Sequence, residues 1–224
     1  YIRIRNYKDA IEALEKVLEL SKPEEVIYEA IGHCYDRLKN FAQARFHYRK
    51  ASHLNAENSK LYYKVANTYF NEGQWNAAIK QLDAALKIHR LQPEYNLLMG
   101  ECKLQLSEFK EAVQFLSTAV RVRPKNIGGW ESLIRCLYVA GFYTEARQQA
   151  VAALKHTNGK NIFIYYISAV LFAMNRPKDA LLYLEKGLSA SPKGVKKLIQ
   201  LNPSILQKPL VVDLIARYKR NRSL

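Results

Sequence analysis

The sequence offers little to a catalyst. It contains no GxxxxGK[ST], HExxH, GxSxG or GxGxxG phrase, so the common phosphate, zinc-protease, serine-hydrolase and dinucleotide sites have no anchor. Its five histidines, His33, His47, His53, His89 and His156, do not recur at metal-ligand spacing. Its three cysteines, Cys34, Cys102 and Cys136, stand 68 and 34 residues apart, whereas a zinc site needs clustered ligands. Cysteine reads here as a small buried apolar residue, and an unpaired set is compatible with a reducing, cytoplasmic setting. Carboxylate pairs such as Glu24 and Glu25 fall near helix starts, where the macrodipole accounts for them. No apolar run reaches the roughly 18 residues that cross a bilayer. No alternating apolar stretch between hairpin turns argues for strands. The expectation is an all-helical chain that is not an enzyme and uses no cofactor or metal.

Among 224 residues, 49% are hydrophobic and 25% charged, as in an ordinary globular protein with a sizeable core. Net charge is +15 and unevenly placed: from Glu145 onward, 14 Lys and Arg face four acidic residues. A basic C-terminal third attracts nucleic acid, anionic membrane or an acidic partner, or simply forms a solvated surface. The chain begins at Tyr1 without an initiator Met, in the middle of what should be a first repeat helix, and so reads as a fragment or processed product.

What the sequence does hold is a phrase repeated every 34 residues: NYKDA at 6–10, NFAQA at 40–44, QWNAA at 74–78, EFKEA at 108–112, FYTEA at 142–146 and RPKDA at 176–180. Each ends on alanine: Ala10, Ala44, Ala78, Ala112, Ala146 and Ala180. Three residues earlier stand Tyr7, Phe41, Trp75, Phe109 and Tyr143, then Pro177. A second mostly small column follows at Val17, Ala51, Ala85, Ala119, Ala153 and Gly187, and a third precedes at Gly32, Ala66, Gly100, Ile134 and Ser168. Small residues at helical spacing let two helices approach closely, and a bulky aromatic fills the remaining wedge. Each period reads as two amphipathic helices, with NEGQ at 71–74 as a turn and Gly73 and Gly141 suited to left-handed caps. Ile134 is bulky for its column and predicts a splayed helix pair. Pro177 is acceptable in a first helical turn.

This pattern resembles the tetratricopeptide repeat family. The likeness covers residues 1–192, as a half repeat over 1–24 and five repeats beginning near Glu25, Ser59, Pro93, Ile127 and Asn161. It implies a right-handed superhelical α-solenoid of antiparallel helix pairs, serving as a protein-interaction scaffold. Residues 193–224 break the pattern at Pro203 and read as a C-terminal capping segment, with Leu210, Leu214 and Tyr218 on one stripe and Val211 and Ile215 alongside. An amphipathic membrane-surface helix is the alternative there.

The resemblance further implies a concave wall lined by the first helix of each repeat. The candidates on that wall are His33; Lys60, Tyr63, Lys64, Asn67 and Phe70; Glu101; Arg135 and Tyr138; and Tyr165 and Phe172. Large aromatics bury area at modest entropic cost, and Lys60, Lys64 and Arg135 suit a carboxylate. Each aromatic has the alternative of packing between helices. Lys60 and Lys64 match one pair of the family's carboxylate clamp. His33 stands where its middle Asn belongs, however, and its first pair would precede Tyr1, so the clamp is not expected. The function expected is a non-catalytic scaffold binding a segment of another protein in the groove. The alternatives are nucleic-acid or acidic-partner binding through the basic third, or a regulatory module of a larger protein.

Overall fold

A computed structural model describes residues 6–220. They form thirteen α-helices and no strand. Six second helices each begin on the phrase's aromatic column, or on the proline that replaces it: α1 (Tyr7–Leu20), α3 (Phe41–Leu54), α5 (Trp75–Ile88), α7 (Phe109–Val122), α9 (Tyr143–His156) and α11 (Pro177–Ala190). The first helices alternate with them: α2 (Glu25–Arg37), α4 (Ser59–Asn71), α6 (Pro93–Gln105), α8 (Ile127–Val139) and α10 (Ile162–Ala173). The chain then runs through a 3-10 turn at Pro192–Gly194, α12 (Val195–Leu201), a second 3-10 turn at Pro203–Gln207 and α13 (Pro209–Arg220). This is an all-α array of antiparallel helix pairs of the solenoid class.

The small-residue ladders are where the helices meet. Ala44, Ala78, Ala112, Ala146 and Ala180 are fully buried, as are Ala51, Ala85 and Ala153. Their partners Ala66, Ile134 and Ser168 are equally inaccessible. At Gly32 the approach is closest: a methyl there would lie 2.6 Å from the Tyr48 ring, well inside contact distance. Ile134 is accommodated at a cost in closeness. α8 and α9 are less tightly apposed than α2 with α3, α4 with α5, or α10 with α11.

One turn geometry closes all five hairpins. Lys39, Gly73, Ser107, Gly141 and Asn175, each 34 residues apart, adopt positive φ between 56° and 81°. At each, two backbone N–H groups bond back to the preceding helix, as Gly73 to Phe70 and Gln74 to Tyr69. That is the Schellman arrangement, which satisfies carbonyls left over at a helix end. Glycine fills the left-handed position in two turns; Lys39, Ser107 and Asn175 hold the same conformation with a side chain.

The described residues fall into two compact units, one ending at Phe115 and the other beginning at Leu116, within α7. In the first unit, Tyr48, Ile31, Leu61, Leu82 and Met99 are the largest inaccessible side chains. In the second, α10 is the centre: every residue from Phe163 to Phe172 is buried. A helix apolar on all sides must be surrounded, and here α9, α11 and α12 pack on it.

The C-terminal segment departs from expectation in two ways. α12 begins at Val195, in phase with the 34-residue period, yet it ends after seven residues and lies on α10 rather than taking a first helix's place against α11. In α13, which packs on α11, Val211 and Ile215 are buried, whereas Leu210 is 66% exposed. The stripe of Leu210, Leu214 and Tyr218 is therefore offset from the one that faces the protein, because the helix turns Val211 inward.

Candidate functional site

In the first unit the wall of first helices is partly open. Glu29, His33 and Asp36 on α2 are half-buried, as are Tyr63, Lys64, Asn67 and Phe70 on α4 and Leu97 and Glu101 on α6; Lys60 is exposed. Helical spacing of three and four residues places each set on one stripe.

Charge on this wall is already paired within it. Glu29 accepts from Lys64 Nζ at 2.6 Å and lies 3.4 Å from Lys60 Nζ. Partial burial opposes the charge on Glu29, but the two lysines outweigh it and hold the carboxyl below its ordinary range. Burial, then the Lys64 charge, pushes His33 below its ordinary 6.5, so the imidazole is the neutral form near pH 7. Burial raises Asp36 despite His33, Arg37 and Lys64 nearby. Lys60 and Lys64 thus bind an internal carboxylate where the sequence suggested a ligand's.

The aromatics serve two roles at once. Tyr63 stacks on buried Tyr95 with ring centroids 5.1 Å apart. Phe70 meets Trp75 edge-on at 5.0 Å, and in the second unit Tyr138 meets Tyr143 at 5.4 Å. Each of the last two is a first-helix residue seated on the aromatic that opens the following helix. The packing alternative therefore holds for one side of these rings, while Tyr63, Phe70 and Tyr138 stay partly accessible on the other.

The second unit is different. Arg135 is exposed and Tyr138 half-buried on α8, but Tyr165 and Phe172 on α10 are 0% and 8% exposed. They do not line an open wall, because the C-terminal segment covers them. Tyr165 donates to the Ser191 carbonyl at 2.8 Å, and its ring leaves no room for a methyl at Gly187 or Gly194, 2.9 and 2.5 Å away. Lys208 Nζ sits 5.9 Å over the Phe172 ring, and Pro177 stands where Phe70 and Tyr138 have an aromatic neighbour. α12 buries Val195 and Leu198, and its Lys197 reaches Glu131 of α8 at 3.0 Å, beside the Tyr166 hydroxyl that donates to the same carboxylate. Glu131 and Tyr166 occupy the repeat positions of Glu29 and Lys64, so the same interhelix bridge recurs with a phenol in place of an ammonium.

Sequence reasoning expected residues 193–224 to cap the array but kept Tyr165 and Phe172 on an open wall, and it missed the role of Tyr95. The signal for the cover was present: residues 162–173 contain no charged side chain, a composition that an open wall would not tolerate. Among the described residues no group of three His, Cys, Asp or Glu is arranged to hold a metal, and no helix is long and apolar enough to cross a membrane. All three cysteines are buried; burial pushes the Cys102 thiol up to about 12.

Comparison with known proteins agrees with this architecture. Residues 39–119 match the family described as anaphase-promoting complex, cyclosome, subunit 3, and residues 1–23 match the tetratricopeptide repeat. Mouse tetratricopeptide repeat protein 21B is 25% identical over 169 residues, 68% of this chain and 13% of that protein. Tetratricopeptide repeat protein 37 of Xenopus laevis is 24% identical over 156 residues, 62% of this chain and 10% of that protein. The chain thus spans a small part of the length of these curated relatives. Among solved structures, a tetratricopeptide repeat protein from Parabacteroides merdae superposes with a TM-score of 0.72 at 15% identity, covering 98% of this chain and 88% of that one. YrrB, a repeat protein with an unusual peptide-binding site, gives 0.66 at 20% identity, covering 94% and 99%. With its phased ladders, repeated turn and these likenesses, the chain belongs to the tetratricopeptide repeat family.

Proposed function

We propose that this chain is a non-catalytic docking scaffold, and that the first-helix wall of its first unit receives a segment of another protein. The observation that carries the reading is the fate of the equivalent wall in the second unit. There a short helix of the chain itself, α12, lies on α10, inserting Val195 and Leu198 and offering Lys197 to Glu131. A first-helix face in this protein is therefore a surface on which a short amphipathic segment docks. The walls of α4 and α6 carry the same ingredients: partly accessible Tyr63, Phe70 and Leu97, with Lys60, Asn67 and Glu101 among them. Aromatic anchors within a polar rim are the features that concentrate binding energy in protein interfaces. The peptide-binding site of YrrB, a protein of similar fold, supports the same reading.

A photo-reactive residue at position 67, on the wall, should crosslink a defined partner segment in cells; one at position 80, on the exposed outer side of α5, should not. Lys60→Glu, introduced into the chain that carries the photo-reactive residue at position 67, should sharply weaken that crosslink with the melting temperature unchanged. Equal crosslinking from positions 67 and 80 would contradict the proposal.

A further inference from the structure

The outer face of α3 holds a feature that the repeat architecture does not call for. Between α3, the start of α2 and the Tyr69 side of α4 lies a groove of about 780 Å³, within the range of ligand-binding clefts. Its α3 side is a stripe at a spacing of four: Ala42, Phe46, Lys50 and Leu54, flanked by Arg45 and Arg49. Pro23, Tyr28, His53 and Tyr69 complete its lining. Phe46 and Leu54 are each 51% exposed.

The other second helices show that folding does not require this stripe. At the repeat positions of Phe46 stand Lys80, Gln114, Gln148 and Leu182; at those of Arg49 stand Asp83, Ser117, Val151 and Glu185. An aromatic beside two cations occurs only on α3 among these helices. A half-exposed phenylalanine with no structural requirement points to a ligand.

We infer that this groove is a second docking site, separate from the first-helix wall, for a partner-protein segment that carries carboxylates beside an apolar anchor. Charge selects that occupant. No acidic side chain lines the groove, and the nearby Glu72 pairs with Arg45 alone, at 2.6 Å. Arg49 and Lys50 stand out from α3 as exposed cations, in a chain whose net charge is +15. Ring geometry selects against nucleic acid. Lys50 Nζ lies 5.1 Å over the Phe46 ring and 5.9 Å over Tyr28, and the Arg45 guanidinium lies 4.5 Å over Tyr69. These cations cover aromatic faces on which bases would stack. What is left accessible is the Phe46 and Leu54 hydrocarbon, ringed by guanidinium and ammonium groups that favour carboxylates.

The test is selection of random 12-residue peptides displayed on phage against the full chain, followed by titration of the enriched peptides. Enriched peptides should carry Asp or Glu around a Phe, Leu or Trp. Phe46→Ser, and separately the exposed pair Arg49→Glu with Lys50→Glu, should each weaken them by at least about tenfold, as loss of one interface anchor does. Asn67→Arg, on the first-helix wall, should leave their affinity unchanged. The inference is overturned by enriched peptides without acidic residues, by no enrichment over an unrelated helical repeat protein, or by binding insensitive to both groove variants. It is overturned equally if a 12-mer of thymidylate binds through Arg49 and Lys50 while acidic peptides do not. Loss of binding on Asn67→Arg alone would move the captured peptides to the first-helix wall, leaving the proposal of the preceding section intact and removing this one.

Discussion

Position 67 on α4 and position 169 on α10 are the same place in the repeat, and they have opposite fates. Asn67 is half-buried on a partly accessible wall, whereas Ala169 is wholly inaccessible on a helix against which the chain's own α12 packs. The difference is written in side chains. α4 carries Lys60, Lys64 and Asn67, polar groups that water or a partner can satisfy, while α10 carries none with charge. Where a repeat wall is built of tyrosine, phenylalanine and isoleucine, leaving it open would expose an apolar patch of the kind that associates. The protein meets that requirement internally with α12.

The largest expected effect comes from removing the cover. Leu198 is fully buried, and Leu198→Ala should cost about 2–5 kcal/mol by the usual penalty for a core cavity. Truncation after Ala190 should leave the second unit prone to aggregation, read by light scattering and thermal melting. Next are two of the glycines that admit an aromatic ring, one from each unit. Gly194→Ala forces a methyl against Tyr165, and Gly32→Ala forces one against Tyr48. Overpacking of this type costs about 1–3 kcal/mol, and denaturant titration should show both. The first should also unmask α10, which the second should not.

A pH effect belongs to the first unit. Burial holds both His33 and His47 below their ordinary 6.5, with Lys64 and Lys50 respectively adding to it. The unfolded chain therefore binds these protons more readily than the folded one. The stability they contribute is complete above pH 6.5 and is lost as pH falls through the depressed folded values. Glu29, held below its ordinary 4.5 by its lysines despite burial, adds a further loss at lower pH. His47 also leaves its Nδ1 buried with no hydrogen-bond partner among the described residues. Its ring lies among Tyr28, Tyr35 and Phe46, so His47→Phe should keep the fold and flatten the fall in melting temperature between pH 7 and 5. The smallest effect expected is at a turn. Ser107→Gly relieves a side chain from the left-handed conformation and should stabilise the first unit by about 1 kcal/mol or less, whereas Gly141 already has that advantage in the second.

Much of this was legible in the residues. The alanine ladders and the aromatic column set the phase of every second helix, because close packing at a fixed spacing leaves no freedom in register. Gly73 and Gly141 announced two of the left-handed turns. Lys39, Ser107 and Asn175 hid the other three, since the Schellman bonds impose the conformation without needing glycine. On the candidate wall, spacing placed His33, Lys60, Tyr63, Lys64, Asn67, Phe70 and Glu101 on one side of their helices. It was silent on what crosses that side. Tyr165 and Phe172 look like groove aromatics by position, and only the turn at Pro192–Gly194, which brings Gly194 against Tyr165, puts them inside. The Lys64–Glu29 pair was likewise out of reach, because it joins residues 35 apart across two helices. The α3 groove escaped notice because its residues break no rule of the repeat; they are distinctive only beside the equivalent positions of the other helices.

The contrast between the two walls is tested most directly by thiol reactivity. The native cysteines are buried, and burial raises the Cys34 and Cys102 thiols, so they give a slow background towards maleimide. In separate variants, Asn67→Cys should label at a rate close to that of a solvent-exposed thiol. Ala169→Cys should label at least about a hundredfold more slowly, as a site that opens only through an unfavourable local rearrangement, and should speed up when Gly194→Ala is added. Equal rates at positions 67 and 169, or a slow rate at 169 that Gly194→Ala leaves unchanged, would contradict the account.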